Sequence, residues 1–261
     1  MDLGLKGRVA VVTAASQGLG RAVATAFAAE GARLAISSRS EAAVGEVARE
    51  LEREYGAEVL AMACDLRDAA AIERFFAAVG ERYGRIDALF TNAGGPRTGG
   101  FDELGDEDWQ AAFELNLLSV VRSLRAARPW LEKSDAPAVV NDVSTSVKQP
   151  IEGLTLSNVL RAGVVTLTKS LSLEWAPRIR INALAPGRIA TERVAELDRD
   201  RAARQGSTPE AVAAAYVRNI PLGRYGQPEE LARVAVFLAS PAASYVNGQF
   251  VFVDGGLVHA L

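Results

Sequence analysis

Residues 8 to 22 read RVAVVTAASQGLGRA: an apolar run ending at Thr13, a small-residue turn with Gly18 and Gly20, then helix-forming residues. Glycines at 18 and 20 let the main chain approach a pyrophosphate. A helix opening there aims its free N–H groups and the positive end of its dipole at that group. A glycine pair alone is a weak signal. Set between a strand and a helix at the head of the chain, it points to a dinucleotide site.

The pattern repeats down the chain. RVAVVT (8–13), RLAIS (33–37), EVLAMA (58–63), IDALFT (86–91), PAVVNDV (137–143), RINALA (180–185) and FVFV (250–253) read as strands. Several are apolar at successive positions, as strands buried on both faces are. Helical stretches such as RAVATAFAAEG and EAAVGEVARELEREYG lie between them. This alternation predicts an α/β fold, a doubly wound parallel sheet of about seven strands with helices on both faces. No linker or change of composition interrupts it, so residues 1–261 are expected to form a single domain. The segment from about 190 to 220 is helical but broken by QGSTP; it follows the sixth strand, where such sheets hold their ligands, and is expected to be a small helical lid.

Hydrophobic residues make up 49% of the chain and charged residues 23%, the balance of a globular protein. The net charge of −3, without a basic block, gives no sign of a nucleic-acid or membrane-surface partner. The single cysteine, Cys64, rules out an intramolecular disulfide and a thiolate metal cluster. The single histidine, His259, leaves no histidine triad or zinc site elsewhere, and no metal is expected. The opening MDLGLKGRVAVV carries an acid at position 2 and runs straight into a strand, unlike a signal peptide, so a cytoplasmic location is expected.

The second strand runs into SSRS (37–40). An acid there would accept from the adenosine ribose 2′-hydroxyl and favour NAD; Ser38 and Arg39 instead suit a 2′-phosphate, so NADP (NADPH) is expected over NAD. Asp65 can accept from the adenine amino group while Leu66 packs on the ring, and TNAGG (91–95) gives another small-residue turn on the same side.

Together these segments resemble the short-chain dehydrogenase/reductase family over nearly the whole chain, most closely its 3-oxoacyl-carrier-protein reductases. TAASQGLG is similar to the family's glycine-rich signature and places Thr13, Ala15, Ser16, Gln17, Gly18, Leu19 and Gly20 at the cofactor, with Ala14 where a first glycine is usual. NAGG adds Asn92, Ala93 and Gly94, and APGRIAT adds Pro186, Gly187, Ile189 and Thr191 beside the nicotinamide. Asn116 and Ser144 fall at two positions of the catalytic group, and VDGG (253–256) at the closing signature. The resemblance implies a single-domain Rossmann fold, hydride exchange between a nicotinamide and a small-molecule carbonyl or alcohol, and a homodimer or homotetramer.

The resemblance also implies a tyrosine that transfers the proton and a lysine four residues later that tunes it. Thirteen residues after Ser144 stands Ser157, and four further Arg161; no tyrosine lies between Tyr83 and Tyr216. A serine hydroxyl lacks the acidity of a tyrosine, whose reference pKa is about 10. Arginine stays charged and hardly shuttles a proton. Ser144 and Ser157 can still hydrogen-bond a carbonyl and Arg161 can polarise it, so the catalytic set is read as Ser144, Ser157, Arg161 and Asn116, with a non-standard proton source. Two readings of Arg161 stand: a lysine surrogate on the ribose, or a buried ion pair with Asp142, since two strand residues (about 6.6 Å) match four helix residues (about 6 Å). Tyr216, Lys148 and His259 are candidate substitute donors; Arg188 and Arg193 could meet an anionic group, and AVAAAYV (211–217) could line an apolar slot. The alternative to an oxidoreductase is a nucleotide-binding protein that has lost its chemistry and serves as a redox sensor or assembly partner.

Overall fold

The apolar runs become strands because both faces of their sheet are covered. The computed structural model describes residues 2–259. Its strands are β1 (Val9–Val12), β2 (Arg33–Ser38), β3 (Val59–Ala63), β4 (Ala88–Thr91), β5 (Ala138–Asp142), β6 (Arg180–Pro186) and β7 (Phe250–Val253). They form one parallel sheet in the order β3-β2-β1-β4-β5-β6-β7, the seven-stranded arrangement expected from the alternation. The observed strand ends lie within two residues of those runs, most of them inside, with β2 and β6 one residue longer.

Helices α1 (Gly18–Ala29), α2 (Glu41–Tyr55) and α3 (Ala69–Tyr83) link the first four strands. Helices α4 (Asp106–Phe113) and α5 (Ser119–Leu131) precede β5, α6 (Thr155–Glu174) joins β5 to β6, and α7 (Glu192–Gln205), α8 (Pro209–Asn219) and α9 (Pro228–Ala239) lead to β7. The termini of α2 follow local chemistry: the Ser40 hydroxyl accepts from the Ala43 N–H, and Gly56 ends the helix in the left-handed conformation. One core packs α1, α2 and α9 on one face through Phe27, Leu51 and Leu231; the other packs α3, α5 and α6 on the opposite face through Phe75, Leu124 and Val164. Each fully buried side chain of this size contributes roughly 1.5–3 kcal/mol.

After β3 the chain crosses to β4 on the far side of β1, so the winding reverses between β1 and β4. The loops leaving those two strands diverge and open a crevice at the carboxyl ends of the sheet, where ligands bind in this architecture. A π-helical turn at Glu114–Leu118 joins α4 to α5 and carries Asn116 into the interior. The QGSTP break appears as the turn between α7 and α8, where the Thr208 hydroxyl accepts from the Ala211 N–H. Among the described residues, no helix is long and apolar enough to cross a membrane.

Candidate active site

The crevice is a cleft of about 490 Å³ whose floor is the first turn. Ser16, Gln17, Gly18 and Leu19 line it, and the N-terminus of α1 has no side-chain cap, which leaves its N–H groups free for an anion. Three expected cofactor residues act from beneath instead. Thr13 and Asn92 exchange hydrogen bonds, Thr13 Oγ1 donating to the Asn92 carbonyl and the Asn92 N–H donating back, both at 2.8 Å. The Ala15 N–H donates to the Ser37 carbonyl at 2.8 Å. Gly20 packs so closely that a Cβ would overlap the Ala14 carbonyl and stand 2.8 Å from Asn92 Nδ2. These contacts staple β1 to β2 and β4 at the reversal point.

Ala14 has φ 50°, in the left-handed region that costs an L-residue roughly 1–2 kcal/mol. The methyl in place of the usual glycine therefore strains the turn without closing the cleft. Ala14→Gly is expected to stabilise the protein by about 0.5–1 kcal/mol, the relieved strain outweighing the added freedom of the unfolded chain. Urea denaturation measures this, and a loss of stability would contradict it.

At one end of the cleft, Ser38, Arg39, Asp65 and Leu66 line the wall. Arg39 is exposed and makes no ion pair among the described residues. The Ser38 hydroxyl donates to the Ser40 carbonyl at 2.8 Å, so it must turn to donate to a phosphate. The carboxylate of Asp65 is gripped by Arg67 (2.6 Å), which, chiefly through that hydrogen bond, holds it below the usual carboxylate range. The sequence reading missed this arginine, although its place two residues on permits the contact. Cys64 lies beside them with its thiol pushed up to about 11 by burial, which leaves it unreactive.

At the other end, Ser144, Ser157 and Arg161 line the same cleft, walled by Pro186, Gly187, Ile189 and Thr191 and by Asn92, Ala93 and Gly94. Ser144 Oγ accepts from the Ser146 N–H at 3.1 Å, which fixes the serine at the head of a short turn. Asn116 lies beneath this wall; its Nδ2 donates to the Gly94 carbonyl at 2.7 Å, while its Oδ1 is buried without a partner.

The expected ion pair between Arg161 and Asp142 does not form. Arg161 Nη1 donates to the main-chain carbonyl of Asp142 at 2.7 Å and Nη2 to that of Ala93 at 3.4 Å, so the guanidinium bridges the ends of β4 and β5. The levels match as strand and helix rises require, but the side-chain face differs. Asn141 already takes the α6 side, its Nδ2 donating to Thr168 Oγ1 at 2.9 Å, and alternation turns the Asp142 carboxyl the other way. Asp142 nonetheless lines the cleft, almost completely buried, with Oδ1 unpartnered. Burial pushes its carboxyl up to about 7, with Arg161 pulling in the opposite direction.

None of the three candidate substitute donors lines the cleft. Tyr216 is held in place, its ring 3.6 Å from the Arg188 guanidinium and its hydroxyl accepting from Arg201 at 2.6 Å. Lys148 and His259 are exposed and do not line the cleft. Arg188 is buried and paired with Asp198, which also accepts from the Tyr225 hydroxyl at 3.0 Å; Arg188 lies outside the lining of the cleft. Arg193 does line the cleft, but its Nη2 donates to the Pro96 carbonyl at 2.8 Å and Nη1 meets Glu196. The AVAAAYV helix, α8, supplies no lining to the cleft; Val194 and Leu197 of α7 cover it, because α8 packs on α7. A smaller cavity of about 210 Å³ adjoins the cleft across Leu154 and Leu197 and reaches Tyr216.

The family model described as enoyl-(acyl carrier protein) reductase matches residues 13–258. The chain is 35% identical to the 3-oxoacyl-[acyl-carrier-protein] reductase FabG of Thermotoga maritima, over 97% of this chain and 99% of that one. Its backbone superposes on L-sorbose reductase from Gluconobacter frateurii, solved with NADPH and L-sorbose, with a TM-score of 0.94 at 32% identity over 100% of both chains. A variant of actinorhodin polyketide ketoreductase with NADPH gives a TM-score of 0.91 at 35% identity, over 96% of this chain and 97% of that one. With its winding order, its glycine turn and a match spanning almost every residue, the chain belongs to the short-chain dehydrogenase/reductase family of oxidoreductases.

Proposed function

We propose that this protein is an NADPH-dependent reductase of a carbonyl compound, best matched by a 3-oxoacyl thioester, working with a non-standard proton source. The observation that carries the reading is one cleft lined by Arg39 and Asp65 at one end and by Ser144 and Ser157 at the other. The cradle fits the cofactor: Gly20 occupies a space a side chain would fill, and the uncapped α1 terminus suits a pyrophosphate. Arg39 would pair with a 2′-phosphate. When bound, the nicotinamide supplies the hydride. Ser144 and Ser157 would donate hydrogen bonds to the substrate oxygen and hold it in place, and the fixed charge of Arg161 would favour the oxyanion that forms there. Residues 192–197 at the head of α7 would keep water out.

The test is NADPH binding by fluorescence titration, then NADPH oxidation with an acetoacetyl thioester and a panel of ketones. Tight binding of NADPH over NADH and measurable turnover are expected, with a rate about 10²–10⁴-fold below that of a relative with a tyrosine at this position. Ser157 at the tyrosine position favours a second reading, a nucleotide-binding sensor without turnover. Tight binding with no oxidation on any carbonyl would select it. Assembly as a dimer or tetramer fits the exposed Val159 and Leu173 on α6 and Phe113 at the end of α4, and sedimentation measures it.

A further inference from the structure

We infer that the side-chain carboxyl of Asp142 is the proton donor of this site, delivering its proton to the oxygen of the carbonyl being reduced. This inference rests on the reductase reading above. It starts from a conflict in the sequence: the hydroxyl at Ser157 is too weakly acidic for the task, and Arg161 does not release a proton. A reduced carbonyl still needs one.

The cleft holds few other candidates. Asp65 sits at the far end and is kept ionised by Arg67. Glu192 and Glu196 on α7 are solvent-facing and paired with Arg199 and Arg193. Cys64 lies at the Asp65 end with its thiol raised out of range. Asp142 differs from all of these. It ends β5, two residues before Ser144, with 4% of its surface exposed and Oδ1 lacking any hydrogen-bond partner. A buried carboxylate in that state is expensive, whereas a neutral carboxyl is tolerated. The charged groups acting on it are few: Arg161 from α6 favours ionisation, and Arg193 from α7 acts on Arg161 in turn. β4 and the first turn carry no charged side chain, and Arg180, the charged residue of β6, lies at the opposite end of that strand, level with Ala138. The balance, burial against one arginine already engaged by two carbonyls, leaves a carboxyl that exchanges its proton around pH 7.

The step balances. The carbonyl carbon receives the hydride of the reduced nicotinamide and forms its C–H bond, and the π electron pair of the carbonyl moves to oxygen. That oxygen forms an O–H bond as the O–H bond of Asp142 breaks, leaving a carboxylate beside an oxidised, positively charged nicotinamide. A neutral pair becomes an ion pair, so the charge created on each partner stabilises the other. Solvent returns the proton after release.

The experiment uses Asp142→Asn, nearly identical in shape, with Asp142→Glu as a second variant. Infrared titration of the wild-type protein is expected to show a protonated-carboxyl band lost as pH rises through about 7 and absent from Asp142→Asn. Saturation with NADP⁺ is expected to move that loss to lower pH, because a positive ring favours the carboxylate. With an acetoacetyl thioester, Asp142→Asn is expected to lower kcat at least ~100-fold while still binding NADPH. Wild-type kcat should fall as pH rises through the same range, Asp142→Asn should lose that limb, and Asp142→Glu should keep part of the rate. An Asp142→Asn protein with wild-type kcat and pH profile would overturn the inference alone. So would a carboxyl ionised throughout from about pH 5 to about pH 9. A wild-type protein that reduces no carbonyl would overturn the reductase reading, and the donor role with it.

Discussion

Gly20→Val is expected to raise the dissociation constant for NADPH about 10³-fold, a loss of about 4 kcal/mol. Gly20 is the point where α1 passes closest to the first turn: its missing side chain makes room for the Ala14 carbonyl and for Asn92 Nδ2. A valine there pushes on main chain, which cannot rotate aside as a flexible side chain would. The displaced turn would carry the α1 N-terminus away from the pyrophosphate and disturb the Asn92 contact with the Ala14 carbonyl, now 3.2 Å. Overpacking of this kind costs typically about 1–3 kcal/mol in stability as well. Melting curves separate the two effects. The variant should melt lower without nucleotide, and excess NADPH, which raises the wild-type transition by mass action, should leave the variant's unmoved. A variant that binds NADPH within tenfold of wild type would show that the cradle tolerates a side chain.

Arg39→Asp is expected to reverse the preference between the two pyridine nucleotides. The guanidinium lines the cleft and makes no ion pair among the described residues, and the nearby Asp65 carboxylate is held by Arg67, which leaves Arg39 for a 2′-phosphate. Charge-assisted hydrogen bonds of that kind contribute about 1.5–3 kcal/mol. A carboxylate in its place repels the phosphate, and the total loss of about 3–4 kcal/mol corresponds to roughly 10²–10³-fold in NADPH affinity. The same carboxylate can accept from a free 2′-hydroxyl, so NADH should bind as well as before or better. Because the site is exposed, the wild-type preference should also shrink as salt is added. Paired titrations with NADPH and NADH measure this; unchanged selectivity in the variant would remove Arg39 from the phosphate site.

How much of this was readable beforehand depends on whether a residue acts locally or through a distant partner. The strands, the glycine turn and the break at Gly206 obey rules that span a few residues, and they stand where those rules place them. The level of Arg161 relative to Asp142 also followed from the rises of strand and helix. What failed was the assignment of faces. Asn141 faces Thr168, a partner 27 residues away, and that contact decides which way Asp142 turns. Arg188 looked free in the sequence; ten residues on, Asp198 claims it, and Tyr216 stacks on it from α8. Thr13 and Gly20 were read as cofactor contacts because the turn was legible, whereas the clamp through Asn92 is visible only once β1 and β4 are neighbours.

The two carbonyls held by Arg161 bear on what the end of the sheet can tolerate at that position. An ammonium group is a point charge and cannot span both strand ends as a planar fork does. A lysine at 161 would therefore leave one carbonyl unanswered and loosen the junction between neighbouring strands. The planar fork thus works as a clasp across two strand ends, and the wall of the crevice depends on it.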